Sequence, residues 1–99
     1  YHVHKMPVPS DGNCTATGGH LDPHGRNGTT CTSTTLDQCE VGDLSGKFGK
    51  IEVRDKGARA ALPFIFEDPT LPMSGENSII GRSVVVHAPN GTRIGCGNI

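Results

Sequence analysis

Apolar and polar residues alternate along several short segments of this chain, and no segment shows a sustained helical period. The clearest alternation involves Ala58, Ala60, Leu62, Phe64 and Phe66. These residues would share one face of an extended segment, because side chains at every second position of a strand point the same way. The pattern predicts an all-β chain with strands near residues 1–6, 48–54, 58–66, 82–87 and 93–99.

Residues 7–46 have a different composition, rich in Gly, Pro, Ser, Thr, Asn and Asp, which is typical of loops. A loop of this length inside a small domain is uncommon unless it is functional or cross-linked. Cys14, Cys31 and Cys39 lie within it and can supply the cross-links. We therefore expect long cross-linked loops between the strands.

The size and charge of the chain limit the functions that it can have. Its 99 residues allow one domain, and a hydrophobic content of 33% without tryptophan predicts a thin core that needs covalent support. The formal net charge is −1, and the nine lysine and arginine residues are scattered, so nucleic acid is not an expected partner. No apolar stretch approaches the length of a transmembrane helix, so membrane insertion is not expected either.

Four cysteines in so short a chain predict two disulfides and an oxidising compartment. A zinc site is the alternative, but it fits poorly because the chain has no CxxC pair. Four cysteines allow three pairings, among which spacing does not decide. Asn13, Asn27 and Asn90 are candidate N-glycosylation sites, because each has the required threonine two positions later. Together these features predict a secreted or cell-surface protein.

Histidines are the candidate metal ligands of the chain. His2 and His4 would point to the same side of a strand and could bind one metal ion. His20 follows two glycines, His24 lies in a loop, and His87 ends the apolar run SVVVH. Imidazole suits copper, zinc, nickel or iron, and an all-nitrogen ligand set favours Cu(II). The alternative is that these are ordinary structural or surface histidines.

Five motifs occur in a fixed order: HVH, CTATGGH, VGDLSG, SIIGRSVVVH and GTRIGCG. In this order the chain resembles the copper/zinc superoxide dismutases over its whole length. The resemblance implies a Greek-key β-barrel or sandwich of the superoxide dismutase type. That barrel has eight strands, of which about five are expected here. We therefore expect residues 1–99 to be a single domain that is a portion of a longer one, and a second chain or subunit could cover its open edge.

The same resemblance implies roles for individual residues. It pairs Cys14 with Cys96, which leaves Cys31 for Cys39. Arg93 would guide and bind the superoxide anion. The copper ligands would be His2, His4, His20 and His87.

The chain departs from the family at its zinc site. Glu40 stands where a zinc histidine belongs, and Asn27-Gly28 occupies the region of another. These departures resemble the copper-only superoxide dismutases secreted by fungi and oomycetes, so copper is expected and zinc is not. The second nitrogen of His20 then needs another partner, which Glu40 or Asp43 could supply. Alternatively, Glu40 is a solvated loop carboxylate.

The expected function is copper-dependent dismutation of superoxide to O2 and H2O2, with copper cycling between Cu(II) and Cu(I). His20, Glu40 and Arg93 would be the catalytic residues: His20 carries a proton, Glu40 holds the ring of His20, and Arg93 binds the anion. Two alternatives need no turnover, namely a secreted copper-binding module and a secreted structural domain of the same fold.

Overall fold

The computed structural model describes residues 1–52 and 65–99. Within these residues one antiparallel sheet has the strand order β1-β2-β3, formed by His2–His4 (β1), Ser83–His87 (β2) and Arg93–Asn98 (β3). The helix α1 spans Leu44–Phe48. Short 3₁₀ helices occupy Cys14–Thr17, Gly28–Thr30 and Leu36–Gln38. In this described part, no helix is long and apolar enough to span a bilayer.

Three of the predicted strands are present, because β1, β2 and β3 lie within the segments expected near 1–6, 82–87 and 93–99. The strand predicted over 48–54 is absent from its described part: Phe48 ends α1, and residues 49–52 form no strand. A local cap explains the difference, since the Asp43 side chain accepts a hydrogen bond from the Gly46 amide and starts a helix there. The strand predicted over 58–66 falls on residues outside the described part, apart from 65 and 66, which form no strand.

The outer edge of β1 is covered by loop backbone rather than by another strand. The Val3 amide donates to the Gly42 carbonyl, and the Leu21 amide donates to the Val3 carbonyl, each at 2.8 Å. Gly42 has to be glycine here, because a Cβ atom would collide with the Val3 carbonyl oxygen. Val3, Leu21 and Ile79 form the buried core of this region.

Two disulfides cross-link the long loops, and all four cysteines are used. Cys14 is bonded to Cys96, which ties the segment before His20 to β3. Cys31 is bonded to Cys39, which closes a short loop directly before Glu40. This is the pairing that the resemblance implied.

Lys47 anchors α1 through a buried ion pair that the sequence patterns did not predict. Its side chain is fully buried, and its Nζ atom donates to the Val41 carbonyl, to Asp68 Oδ2 and to Thr70 Oγ1, each at 2.8 Å. All three ammonium hydrogens therefore have acceptors. The ion pair therefore holds α1, whose N-cap is Asp43, against the segment around Asp68.

The three candidate glycosylation sites adopt the same local turn. Asn13, Asn27 and Asn90 are exposed, and each side-chain oxygen accepts a hydrogen bond of 3.0 Å from the amide of the threonine two residues later. Such Asx turns are a common reason for asparagine at loop positions.

Candidate metal centre

Strand pairing brings the four predicted ligands together. In β1, His2 pairs with Val85 and His4 pairs with Ser83, so both histidines share the face of β2 that also carries His87. An isolated bridge between His4 and His20 adds the fourth imidazole.

The imidazole rings pack against one another. The rings of His2 and His20 stack at 3.8 Å between centroids, and His4 lies 5.1 Å from His20 and 5.2 Å from His87. One nitrogen each of His2, His20 and His87 lies within 4.8 Å of the others, a spacing suited to one metal ion, whereas His4 does not belong to this three-residue group. His24 lies in an exposed loop outside this group.

Two carboxylates hold the outer nitrogens of two of the rings. His20 Nδ1 lies 3.1 Å from Glu40 Oε2, and His2 Nε2 lies 3.2 Å from Asp43 Oδ1. A carboxylate takes the N–H of an imidazole, so the other nitrogen of each ring keeps its lone pair for a metal. Of the two partners considered for His20, the structure places Glu40 there and gives Asp43 to His2. Glu40 is therefore not a solvated loop residue.

The fourth imidazole, His4, is fully buried, and a backbone carbonyl sets its tautomer. His4 Nδ1 donates to the Gly18 carbonyl at 2.9 Å, so Nε2 carries the lone pair. Nε2 is buried without a hydrogen-bond partner among the described residues. Buried polar atoms normally have a partner, and a nitrogen lone pair among three other imidazoles fits a metal ligand. The residues present therefore fit a bound copper ion.

Burial favours the neutral form of three imidazoles, those of His4, His20 and His87. It lowers the pKa of His4 and of His20, and the neighbouring His2 lowers that of His20 further. The pKa of His87 falls from 6.5 to about 4, first because of burial and then because of the nearby imidazoles. A protonated imidazole has no lone pair for a metal, so the lowered pKa values of these three rings favour metal binding at neutral pH.

The two carboxylates are shifted in opposite directions. Burial, together with Asp22 and Asp43, raises the pKa of Glu40. The hydrogen bond from His2 lowers the pKa of Asp43, which also accepts the amide of Gly46. Asp43 is therefore the more firmly ionised of the two.

Arg93 faces the site from β3. The register between β2 and β3 shifts after Val86, so that His87 pairs with Arg93 rather than with Ile94. Bulges of this kind commonly redirect a side chain next to a functional site. The guanidinium Nη1 donates to the Cys14 carbonyl at 2.9 Å, and its positive charge contributes to the lowered pKa of His4.

A cleft opens beside two of the imidazoles. It has a volume of about 310 Å³ and is lined in part by His2, His87, Val86, Ile51 and Lys50. The cleft provides a path by which a small molecule can approach the cluster, with one lysine along its wall.

Three contacts of the site were not predicted from the sequence. Thr17 and Gly18 contact His4, and Asp43 contacts His2 rather than His20. The motif CTATGGH contains the first two residues, but no periodicity distinguishes them from other loop residues.

Comparison with known proteins agrees with this geometry. The family model described as copper/zinc superoxide dismutase matches residues 1–99. A cell surface Cu-only superoxide dismutase of Arthroderma benhamiae is 42% identical over 100 residues, which cover 99% of this chain and 26% of the relative. The cell surface Cu-only superoxide dismutase 5 of Candida albicans is 41% identical over 99 residues, which cover 100% of this chain and 40% of the relative.

A solved structure shows the same fold. The Cu(II) form of Candida albicans superoxide dismutase 5 superposes with a TM-score of 0.81 at 35% identity, covering 98% of this chain and 59% of that one. By contrast, this chain spans less than half the length of the Arthroderma benhamiae and Candida albicans relatives described above. The likeness confirms the predicted all-β fold of the superoxide dismutase type. Because the family model matches every residue from Tyr1 to Ile99, this chain belongs to the copper/zinc superoxide dismutase family.

Proposed function

We propose that this chain carries the copper site of a superoxide dismutase that works without zinc. The observation that carries the proposal is that His4 Nε2, which lies in the ring packed against three other imidazoles, is buried and has no hydrogen-bond partner in the described part of the chain. The Cu-only relatives and the Cu(II) structure support the choice of metal. Copper when bound would supply one-electron chemistry, so that two superoxide anions and two protons become O2 and H2O2.

Each of the first three ligands would offer the nitrogen that does not face a carboxylate or a backbone carbonyl. His2 would offer Nδ1, because Nε2 is engaged by Asp43. His4 and His20 would offer Nε2, because Nδ1 of each faces Gly18 or Glu40. His87 Nδ1 lies 3.3 Å from this Nδ1 of His2, a contact that a bound metal would replace.

The protein residues would also handle the substrate and its protons. His20 would take up a proton on Nε2 and pass it to the reduced product, while Glu40 holds the ring through Nδ1. Arg93 would bind the superoxide anion beside the site.

We also propose that residues 1–99 form a portion of one superoxide dismutase-like domain at the cell surface or outside the cell. β3 ends the described sheet, and its Ile94 is 65% exposed, so further strands from the same protein or a second chain would continue the sheet there. The cell-surface relatives and the two disulfides support the location.

Metal analysis and a superoxide assay test the proposed function. The full-length protein should hold one copper per chain with little zinc, and superoxide removal should require that copper. Copper binding without turnover would favour a copper-binding module, and neither property would favour a structural domain. One zinc per chain that survives dialysis would contradict the copper-only site.

A further inference from the structure

Thr17 lies between the anion-binding residue and one of the metal ligands. It is the last residue of the 3₁₀ helix Cys14–Thr17, and its side chain is fully buried. The hydroxyl oxygen lies 3.1 Å from Arg93 Nη1 and 3.2 Å from His4 Nδ1. The surrounding loop is largely exposed, and a hydroxyl that is buried in it needs hydrogen-bond partners.

The hydroxyl of Thr17 uses all of its hydrogen-bonding capacity. A hydroxyl has one hydrogen to donate and two lone pairs to accept with. Thr17 donates to the Cys14 carbonyl at 2.6 Å and accepts from Arg93 Nη1. Its second lone pair faces His4 Nδ1, whose hydrogen is shared with the Gly18 carbonyl. This arrangement of the hydrogens gives each of the four groups a partner.

These contacts connect the guanidinium of Arg93 to the imidazole of His4 through one buried oxygen atom. Arg93 Nη1 also donates to the Cys14 carbonyl, and Cys14 is tied to β3 by its disulfide. Among the described residues, the hydrogen bonds of the guanidinium all come from Nη1, whose acceptors are the Cys14 carbonyl, the Thr15 carbonyl and the Thr17 hydroxyl. The Thr17 hydroxyl thus helps to hold the Nη1 end of the guanidinium.

We propose that Thr17 is a positioning residue that fixes Arg93 relative to His4, so that an anion bound by Arg93 lies at a set place beside the metal. The inference rests on the proposed function, because it assumes copper at the imidazole cluster. Thr17→Val keeps the shape of the side chain but removes the hydroxyl. Arg93 then loses one of its anchors and His4 loses one of two acceptors.

The experiment measures binding of azide, a small anion, to the copper-loaded full-length protein. Loss of a residue that supports a metal ligand typically costs about 10–100-fold in metal affinity or activity. Taking the lower end of that range for the bound anion, we expect azide to bind about tenfold more weakly to Thr17→Val. The Cu(II) EPR spectrum should also shift, because the His4 ring is less firmly held. Thr17→Ser keeps the hydroxyl and should restore both values to nearly those of the unmodified protein.

Ser83→Ala is the matched control. Ser83 is as deeply buried as Thr17 and pairs with His4 across the strands, but its hydroxyl donates to the Met6 carbonyl at 2.6 Å and, among the described residues, makes no hydrogen bond with Arg93 or with the His4 ring. This variant should lower the melting temperature without changing azide affinity or the EPR spectrum. If Thr17→Val does not fold, Thr17→Ala removes the same hydroxyl with less steric demand and is compared with Ser83→Ala in the same way.

The outcomes separate this inference from the proposed function. An unmodified protein that binds no copper, or that removes no superoxide when copper is bound, contradicts the proposed function. An active copper protein whose Thr17 variants match Ser83→Ala in azide affinity and EPR spectrum overturns the positioning role alone. Loss of azide affinity that Thr17→Ser fails to restore also overturns it.

Discussion

Lys47→Met removes a buried ammonium group while keeping a flexible side chain of similar length. In the folded chain Lys47 Nζ serves three acceptors, the Val41 carbonyl, Asp68 and Thr70, and the side chains of Lys47 and Asp68 are 0% and 4% exposed. The substitution leaves the Asp68 carboxylate buried without its counter-ion. A charge in that position is costly because the protein interior solvates it poorly.

The magnitude follows from the burial of both partners. Removing one partner of a buried ion pair typically costs about 3–5 kcal/mol, since the remaining charge is uncompensated. We expect Lys47→Met to lower the free energy of unfolding by about that amount, out of a total of about 5–15 kcal/mol for a small domain. Lys47→Met combined with Asp68→Asn leaves no buried charge and should cost less than Lys47→Met alone.

Urea unfolding at neutral pH, with the disulfides intact and copper removed, measures this difference. Lys50→Met is the control, because Lys50 is exposed, and its change should stay within about 0.5 kcal/mol. A loss of less than about 1 kcal/mol in Lys47→Met would show that water or rearrangement compensates Asp68, against the burial argument. A double variant less stable than Lys47→Met alone would also refute it.

The same pair predicts the acid sensitivity of the fold. Burial alone would raise the pKa of Asp68, but hydrogen bonds from Lys47 and Thr70 outweigh it and lower the pKa below 3.8. A carboxylate with a lowered pKa stabilises the fold above its unfolded pKa, and this contribution is lost as the pH falls through the folded value. The unmodified protein should therefore lose stability below about pH 4, and Lys47→Met should show a smaller loss over that range.

Three further predictions concern the site and the loops. Glu40→Ala should lower superoxide removal about 10–100-fold or narrow its pH range while copper stays mostly bound, because His20 loses its partner; unchanged activity at every pH would contradict this. Replacing Cys31 and Cys39 with serine should lower the free energy of unfolding by about 2–3 kcal/mol, which is less than the same change at Cys14 and Cys96, because that pair closes a longer loop. Urea unfolding measures both losses, and a larger loss for the Cys31 and Cys39 variant would contradict the prediction. Peptide mass mapping of the secreted protein should find glycans on one or more of the three exposed asparagines Asn13, Asn27 and Asn90, and unmodified peptides at all three would contradict the prediction.

The sequence alone predicted that several segments are extended and that the four cysteines form two disulfides. The two-residue period alone places His2 and His4 on one face, because that period is a property of the extended backbone. The ordered motifs identified the family, and the resemblance implied His20 and His87 as further ligands. Local alternation was misleading around Ile51, where the Asp43 cap and the buried Lys47 favour a helix immediately before it.

The partners of the site residues were decided only by the tertiary structure. Glu40 and Asp43 are three positions apart in one loop, and nothing local shows that one faces His20 and the other His2. The contacts of Thr17 and Lys47 likewise join residues far apart along the chain. Sequence patterns predict which face of a strand a side chain occupies. Hydrogen-bond partners depend instead on how segments that are distant in sequence pack together, because a buried polar group bonds to whichever partner that packing brings near.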